Sequence, residues 1–355
     1  MHSGHQLHLT VTRRFAVFIV SSDVVGAAAA RIKQPYMTDR LANATRSAPC
    51  IDFSDAAILA VLEPDFVKAR AARAMFQKQD AQRGYPEKLV DACLFRGDES
   101  GFLSLAAEAD FQFDPTTYPL AATLAEVLGL PGGASALPML HTAFHADVGR
   151  LKDRGEKARL LQPLTDPARH HTFQSMFVRF VLGVVAPHVR AVADCTRFYF
   201  QAFPCVRVVR PKEFSIGVHC DASYGFDQAN INFYVPLTPI YGTNSLVLES
   251  YPGREDWHTI EAEFGQVKRF YGAQCLHFTP GNTTEKTRVS LDFRVILNRC
   301  WRADHDQFTS VPGYYAVCEM DTLTGTWAVD GHVPAPDWRV GFPFERGLNA
   351  KGGNS

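Results

Sequence analysis

The chain changes character near Cys195, and this change constrains the fold more than any other feature of the sequence. Upstream of Cys195 the apolar residues mostly recur at helical spacing. Downstream, short β-prone runs alternate with Gly, Pro and Asn turns; the runs are RFYFQAF, VRVVR, FSIGVHCD, NINFYVPL, SLVLES, QVKRFYG, CLHFT and TRVSLDFRVIL. Evenly spaced strands after a helical half predict an α+β protein with a jelly-roll core, a double-stranded β-helix, buttressed by N-terminal helices.

Three helices can be predicted with their ends. Ser54 is the expected N-cap of the first, with Asp55 in its first turn ahead of the apolar run AAILAVL. A second helix is predicted over Pro119–Leu128. A third is predicted over Phe173–Val185, and Pro187 is expected to end or kink it because proline cannot donate an amide hydrogen.

The 355 residues suffice for one large domain. We expect residues 1–47 to be an N-terminal extension with little order, because they are rich in early histidines and lack sustained patterning. Residues 48–355 are predicted to form one domain. Within it we expect a helical part over 48–195, a jelly-roll core over 196–300, and a covering segment over 301–355 that is rich in Pro, Gly and aromatic residues.

Composition excludes some partners and favours one compartment. The formal net charge of −1 provides no basic field for nucleic acid or for an anionic membrane surface. No run approaches the roughly 20 apolar residues of a membrane span. The eight cysteines show no Cys-x-x-Cys pair and no disulfide-scaffold spacing, which favours free thiols in a reducing compartment. We therefore expect a cytoplasmic protein that acts on a small molecule.

Two imidazoles and one carboxylate carry the strongest chemical signal. His219 and Asp221 are two residues apart, and His277 follows 58 residues after His219. Two histidines and a carboxylate form the facial set that holds non-haem Fe(II) and leaves coordination positions open for an oxidant and a co-substrate. On a strand, residues two apart point to the same face. The sequence therefore predicts a metal site formed by His219, Asp221 and His277.

An arginine with strand parity lies eleven residues after His277. In Thr287–Leu297 the even positions, which include Arg288 and Ser290, are polar and the odd positions are apolar. Asn230–Val235 alternates in the same way. Polar faces on both strands indicate a polar cavity, in which a buried Arg288 must be paired with a bound anion or with Asp292. The alternative is that each polar face is simply exposed to solvent.

At this point the sequence resembles the Fe(II)/2-oxoglutarate-dependent dioxygenases, on the phytanoyl-CoA hydroxylase-like side. Within that superfamily it looks most similar to the streptomycin-biosynthesis type of dioxygenase. The segments that carry the resemblance are HCD at 219–221, NFYVPLT at 232–238, TNSLVLES at 243–250 and GAQCLHFTPGNTTEKTRVSLDFRVI at 272–296. They cover about residues 196–300, and the PGYY at 312–315 adds weaker support.

The resemblance implies roles for individual residues. It implies that His219, Asp221 and His277 bind Fe(II), and that Arg288, helped by Ser290 and Thr279, holds the distal carboxylate of 2-oxoglutarate. The other end of 2-oxoglutarate would chelate iron with the assistance of Asn232, and O2 would take the last open position. Retention of the carboxylate at Asp221 favours hydroxylation or desaturation over halogenation.

Four further residues are candidates for contact with the substrate: Arg207, Tyr224, Asn230 and Arg294. Arg207 lies on the strand before His219, and Tyr224 lies in the loop just after Asp221. Each of the four could instead serve packing or a structural ion pair. Arg294, for example, could pair with Asp292 or Glu249.

The resemblance implies an oxidoreductase that hydroxylates or desaturates an unactivated carbon of a small polar metabolite in specialised metabolism, with decarboxylation of 2-oxoglutarate to succinate. Two alternatives remain from the same barrel: a cupin-like metal-dependent isomerase, and a non-catalytic metal-binding jelly-roll protein. The isomerase would need a fourth metal ligand and has no use for Arg288.

Overall fold

The computed structural model describes residues 52–82, 100–143, 160–213, 215–302 and 314–330. The expected N-terminal extension over 1–47 lies outside the described residues, and so does most of the expected covering segment over 301–355.

Five α-helices lie in the described part of the chain: α1 Ala56–Gln82, α2 Phe102–Ala106, α3 Leu120–Val127, α4 Pro167–Phe180 and α5 Ala186–Ala193. Short 3-10 segments add Gly133–Ala143, Gln162–Thr165, Asp221–Tyr224, Gly242–Asn244 and Asn298–Cys300. The helix predicted over Pro119–Leu128 is confirmed as α3.

The predicted N-cap of α1 was wrong by one residue. Asp55 accepts the hydrogen bond from the backbone N–H of Ala57 through Oδ1, at 2.8 Å. Ser54 instead donates its hydroxyl to Asp52 Oδ1, at 2.6 Å. A carboxylate at this position also interacts favourably with the positive end of the helix dipole, which a serine hydroxyl cannot do to the same degree.

Pro187 does not end its helix. A π-helical turn, Val181–Val185, joins α4 directly to α5, and Pro187 sits in the first turn of α5. The wider π-turn accommodates the missing amide hydrogen of proline.

By length and composition the whole stretch Pro167–Ala193 could cross a membrane. A buried core helix meets the same criteria, and eight residues of this stretch belong to the main core: Phe173, Phe177, Phe180, Val181, Val185, Ala186, Val189 and Ala193.

Eleven strands are described: β1 Ala109–Gln112, β2 Arg197–Gln201, β3 Cys205–Val209, β4 Ile231–Pro236, β5 Val247–Leu248, β6 His258–Thr259, β7 Gln266–Phe270, β8 His277–Phe278, β9 Arg288–Leu297, β10 Tyr315–Met320 and β11 Trp327–Val329. Eight of them form an antiparallel sheet in the order β1-β7-β4-β9-β2-β10-β11, with β3 also paired to β9.

β9 is the central strand of this large sheet. Along one edge it pairs with β4, which places Asn232 opposite Arg294 and Tyr234 opposite Asp292. Along its other edge β3 pairs with the first half, which places Arg207 opposite Ser290. All ten residues of β9 are buried. The alternative that its polar face is solvated is therefore wrong.

The second sheet is small and carries the metal-ligand candidates. β5, β6 and β8 pair in the order β6-β5-β8. An isolated antiparallel bridge joins His219 to His277 at the edge of β8. The predicted strand FSIGVHCD is thus reduced to this bridge in its described residues, and the chain turns into a 3-10 segment at Asp221. His219 and His277 nevertheless lie side by side because the bridge pairs them.

Apolar packing holds the two sheets and the helices together. The main core lies between the large sheet and helices α2 to α5, with Phe177 of α4 packed edge-on to Phe293 of β9. A second core joins α1 to the small sheet through Phe66, Trp257 and Phe278. This mixture of helices and antiparallel sheets confirms the α+β class, while the closed double-stranded β-helix stays a prediction.

Candidate active site

His219, Asp221 and His277 form one buried cluster. Asp221 Oδ1 lies 3.8 Å from His219 Nε2 and 3.7 Å from His277 Nε2. One donor atom from each residue lies within 4.8 Å of the others, and all three residues are buried. The cluster can therefore hold a metal ion, as the His-x-Asp spacing predicted.

Both imidazoles present the nitrogen that a metal requires. His219 Nδ1 donates to the carbonyl of Gly217 at 2.7 Å, and His277 Nδ1 donates to the carbonyl of Cys275 at 3.0 Å. With Nδ1 carrying the proton, Nε2 keeps its lone pair and faces Asp221. Burial, and then the neighbouring His277, hold the pKa of His219 well below its usual value. His219 is therefore neutral, the form that binds metals.

The two oxygens of Asp221 have different surroundings. Oδ1 faces the histidines, whereas Oδ2 accepts hydrogen bonds from Asn232 Nδ2 at 2.8 Å and from Arg294 Nε at 2.9 Å. Burial would raise the pKa of Asp221, but the charge of Arg294, the neighbouring His277 and the hydrogen bonds from Asn232 and Arg294 hold that pKa below its usual value. Asp221 is therefore an anion, as a metal ligand must be.

Gly272 brings backbone close to this carboxylate. Its carbonyl accepts from the backbone N–H of Asp221 at 2.8 Å. A Cβ on Gly272 would lie 2.7 Å from the side-chain amide of Asn232 and 2.8 Å from the ring of Phe270. Only glycine leaves room for Asn232 to reach Asp221, a requirement that the sequence alone did not reveal.

Arg288 is a buried cation held by neutral groups. Its Nη1 donates to the backbone carbonyls of Asn244 and Ser245, both at 2.9 Å, and its Nη2 donates to Thr279 Oγ1 at 3.3 Å. Its Nε has no hydrogen-bond partner, and no carboxylate oxygen of the described residues lies within 4.0 Å of its guanidinium. Burial lowers the pKa of Arg288. A buried guanidinium without a carboxylate partner is costly, and because Arg288 lines a cavity, an anionic ligand could pair with it there.

The expected partner Asp292 is engaged elsewhere. Its Oδ2 accepts from Arg207 Nη2 at 2.9 Å. Burial would lower the pKa of Arg207, but the charge of Asp292 and the hydrogen bond to it outweigh burial and raise that pKa. The sequence left two partners open for the charge of Arg288, a bound anion or Asp292. Because Asp292 pairs with Arg207, a bound anion is the one that remains.

A cavity of about 30 Å³ joins the metal cluster to Arg288. Its lining includes the metal-ligand candidates, the pair Arg207 and Asp292, the polar residues Ser215, Asn232, Tyr234, Thr279 and Arg288, and the apolar residues Ile216, Leu246 and Phe270. Ser215 and Ile216 are only half-buried and lie outside regular structure. Since the volume is no more than a water or two would fill, a larger ligand requires movement of lining side chains.

Several buried polar atoms near the cavity have no hydrogen-bond partner in the described part of the chain. They are Arg288 Nε, Ser290 Oγ, Tyr234 Oη, Asp292 Oδ1 and Asn232 Oδ1. Buried polar groups are normally satisfied, so a cluster of unsatisfied ones indicates a binding site for a polar ligand. Ser290 was a predicted site residue. Tyr234 was not, although its alternation with Asn232 on β4 was a signal for it.

The predicted substrate residues divide into two groups. Arg207 lines the cavity and its side chain is 23% exposed. Tyr224 packs its ring 4.9 Å from that of His219, and Asn230 accepts the hydroxyl of Tyr315 at 2.8 Å. Arg294 contacts Asp221 rather than Glu249, and lies 3.7 Å from Asp292. Only Arg207 of the four lines the cavity.

The chain matches no protein-family model. It is 37% identical over 99 residues to the streptomycin biosynthesis protein StrG of Streptomyces griseus. The predicted similarity to a streptomycin-biosynthesis protein is confirmed. The match spans 28% of this chain and 46% of StrG, so the chain spans about half the length of the curated relative it matches.

Solved structures are also similar to this chain. The apo form of ThoJ, a non-heme monooxygenase, is 13% identical and covers 57% of this chain and 78% of its own, with a TM-score of 0.37. SnoN, a non-heme alpha ketoglutarate dependent epimerase from nogalamycin biosynthesis, is 12% identical over 64% and 86% of the two chains, with a TM-score of 0.32. EctD from S. alaskensis, solved with 2-oxoglutarate and 5-hydroxyectoine, is 12% identical over 57% and 77%, with a TM-score of 0.35. At TM-scores this low the likeness carries no argument about this chain's chemistry.

Proposed function

We propose that this protein is a non-haem Fe(II)-dependent oxygenase that uses 2-oxoglutarate as its co-substrate. The observation that carries the proposal is the position of Arg288, a buried guanidinium without a carboxylate partner among the described residues, in the cavity that also contains His219, Asp221 and His277. A metal cluster alone suits many proteins. A metal cluster facing an unpaired buried cation suits a ligand that carries a second anionic group.

The donor set fits Fe(II). Two imidazoles and one carboxylate supply three ligands, and the cluster in the described residues contains no fourth ligand of the kind a cupin-like isomerase needs. The chemistry that iron would supply there is activation of O2, coupled to the decarboxylation of 2-oxoglutarate to succinate and the oxidation of a substrate C–H bond. The protein fixes the three ligands by the bridge between His219 and His277 and by the hydrogen bonds to Asp221.

Arg288 has the right donors left for a carboxylate. A guanidinium carries five N–H groups. Nη1 uses both of its N–H groups on the carbonyls of Asn244 and Ser245, and Nη2 uses one on Thr279. The two that remain are on Nε and Nη2, the nitrogens of one edge of the planar group, and such an edge can bind a carboxylate with two parallel hydrogen bonds. The hydroxyl of Tyr234, which lines the same cavity, and that of Ser290, two residues after Arg288 on β9, have no hydrogen-bond partner in the described part of the chain.

The proposed substrate is a small polar metabolite, hydroxylated or desaturated at an unactivated carbon. Support comes from the polar pair of Arg207 and Asp292 at the cavity, since Asp292 Oδ1 keeps an unused acceptor and Arg207 is partly exposed. Tyr224 and Asn230 are proposed as further substrate residues, because they follow the metal ligand Asp221 closely along the chain. The relative from streptomycin biosynthesis supports a role in specialised metabolism. A cytoplasmic location stays a prediction.

Succinate formation under air tests the proposal. Wild-type protein supplied with Fe(II) and 2-oxoglutarate should release succinate, even slowly and without a second substrate. Asp221→Ala should abolish this release, because it removes the only carboxylate of the cluster. Arg288→Lys should weaken 2-oxoglutarate binding by about 1.5–3 kcal/mol, because lysine keeps the positive charge but cannot form the second of two parallel hydrogen bonds to a carboxylate.

Arg269→Lys is the matched control for Arg288→Lys. Arg269 is also buried and also held by two backbone carbonyls, those of Ser104 and Ala107, but it does not line the cavity. We expect the Arg269→Lys variant to bind 2-oxoglutarate with the same affinity as the wild type. No succinate from wild-type protein, or equal losses in the two arginine variants, would remove the proposal.

A further inference from the structure

We infer that Arg294 is a positioning residue that locks Asp221 so that only Oδ1 can face the metal. The inference rests on the proposed function, because it assigns a task at the same metal centre. It also replaces the sequence-based expectation of a substrate contact at Arg294 with a different role.

The lock consists of hydrogen bonds to one carboxylate oxygen. Asp221 Oδ2 accepts hydrogen bonds from Arg294 Nε at 2.9 Å and from Asn232 Nδ2 at 2.8 Å, and Arg294 Nη2 lies 2.8 Å from the same oxygen in an ion pair. The two hydrogen bonds occupy the lone pairs of this oxygen. Oδ1 remains, and it is the oxygen that faces the two Nε2 atoms at 3.8 and 3.7 Å. Asp221 therefore offers the metal one oxygen and keeps the other out of reach.

Arg294 is itself held on its other sides, so it cannot simply follow a rotating carboxylate. Its Nη1 donates to Gln201 Oε1 at 3.1 Å, and its guanidinium lies 4.0 Å above the ring of Phe226. Gln201 in turn donates to the carbonyl of Phe203 at 2.8 Å. A planar, two-pronged donor that is anchored by an amide and an aromatic face fixes both the direction and the rotation of its partner.

The consequence for the metal centre is an open position. A carboxylate that binds through both oxygens occupies two coordination positions, whereas one that binds through Oδ1 occupies one. The lock therefore keeps free a position that a chelating co-substrate or an oxidant needs. It does so at an electrostatic cost, since the positive charge of Arg294 repels a cation at the same site.

This electrostatic cost allows a clear test, because losing the charge of Arg294 and losing its positioning of Asp221 change the affinity for a divalent cation in opposite directions. If Arg294 acted only through its charge, Arg294→Gln would bind a divalent cation more tightly. If Arg294 positions Asp221, Arg294→Gln should bind Co(II) about 10- to 100-fold more weakly, the usual effect of losing a group that orients a metal ligand. Arg294→Lys, which keeps the charge and a single donor group, should lie between the wild type and Arg294→Gln.

Arg207→Gln is the matched control. It removes one positive charge from the cavity that the metal-ligand candidates line, but Arg207 pairs with Asp292 and makes no hydrogen bond to Asp221. We expect it to bind Co(II) as tightly as the wild type or more tightly. The affinities are measured on the full chain by competition with a chromophoric chelator, with thermal melting as the check that each variant is folded.

X-ray absorption of the wild-type protein loaded with Co(II) tests, without any variant, whether Asp221 binds the metal through one oxygen or two. A carboxylate bound through one oxygen is expected, and a chelating carboxylate would overturn the inference, as would Co(II) binding in folded Arg294→Gln that is as tight as in the wild type. Failure of the wild type to bind Co(II) at all would instead remove the metal centre and the proposed function.

Discussion

At the scale of single residues, the absence of a side chain at Gly272 allows Asn232 to donate to Asp221, the proposed metal ligand. Asn232 reaches Asp221 only by crossing the space where a Cβ on Gly272 would lie, 2.7 Å from its amide. No positive φ angle is involved at Gly272, so the requirement is one of close approach rather than of backbone conformation. The identity of this residue is therefore tied to the site and not to the turn that precedes β8.

Gly272→Ala should weaken metal binding. The added methyl group must push Asn232 away, which removes one donor from Asp221, and overpacking of this kind costs about 1–3 kcal/mol of stability. The measurement is Co(II) affinity of Gly272→Ala, alone and combined with Asn232→Ala. In the Asn232→Ala background the glycine substitution should have no further effect on affinity; an undiminished effect there would mean that it acts through some other group.

We expect Arg207 to bind the substrate, so that turnover of 2-oxoglutarate leads to oxidised product. Once the substrate is known, Arg207→Gln should lower product formation about tenfold, because a charge-assisted hydrogen bond contributes about 1.5–3 kcal/mol. Succinate release without substrate should stay close to the wild-type rate, because Arg207 makes no contact with the metal ligands or with Arg288. The ratio of product to succinate is the measurement. Equal loss of both would place Arg207 at the co-substrate instead.

At the scale of secondary-structure elements, helix α1 is attached to the strand that carries His277. Arg73 of α1 forms a buried ion pair with Glu249 and also donates to the carbonyl of Gln274. Glu249 Oε1 accepts from the backbone N–H of Leu276 at 2.8 Å. The helix thus fixes the backbone on the N-terminal side of His277 through one carboxylate.

Removing this pair should be costly. Arg73→Ala leaves Glu249 as an unpaired buried charge, which typically costs about 3–5 kcal/mol. Arg70→Ala is the control on the same helix, since Arg70 pairs with Glu63 and Glu255 near the surface, where such pairs contribute about 0–1 kcal/mol. Urea unfolding of both variants gives the comparison. A loss at Arg73 no larger than that at Arg70 would contradict the role assigned to the pair.

The sequence predicted elements well where one local pattern was enough. The alternation in Thr287–Leu297 placed Arg288 and Ser290 on one face, and β9 has that arrangement because a strand repeats every two residues. The strand FSIGVHCD was wrong in its extent, because its pairing partner β8 is only two residues long and supports a bridge at His219 rather than a ladder.

The hydrogen bonds within the site could not be predicted in the same way. Arg294 contacts Asp221 because β4 and β9 pair with Asn232 opposite Arg294, which brings two donors to the same carboxylate. That register joins segments about sixty residues apart and is fixed by packing of the whole sheet, not by either segment. Residue types therefore predicted the metal-ligand candidates and the arginine, while their partners required the assembled fold.

At the scale of the whole molecule, one buried histidine should make the protein sensitive to acid. His170 stacks on Phe203 at 4.5 Å between ring centroids, and burial, then the neighbouring His171, lower the pKa of His170 to about 4. A folded pKa below the unfolded value of about 6.5 means that this histidine contributes its full stability above pH 6.5. That contribution is lost as the pH falls from about 6.5 towards 4.

His170→Phe should reduce this loss by up to about 3 kcal/mol, since each pKa unit corresponds to about 1.4 kcal/mol. The measurement is the free energy of unfolding in urea at pH 7.5 and at pH 4.5. His171→Gln is the control, because His171 is exposed on the same helix. If the acid sensitivity of His170→Phe equals that of the wild type, another group must be responsible.

The central claim is that one cavity holds a metal ion at His219, Asp221 and His277 and the distal carboxylate of a keto acid at Arg288. Anaerobic titration of the protein with Fe(II) and then 2-oxoglutarate tests this claim most directly, because chelation of iron by a 2-oxo acid produces a weak visible charge-transfer band. We predict that the band appears in the wild type, is lost in Asp221→Ala, and requires much more 2-oxoglutarate in Arg288→Lys. Absence of the band in the wild type, or a band of equal strength in Asp221→Ala, would contradict the claim.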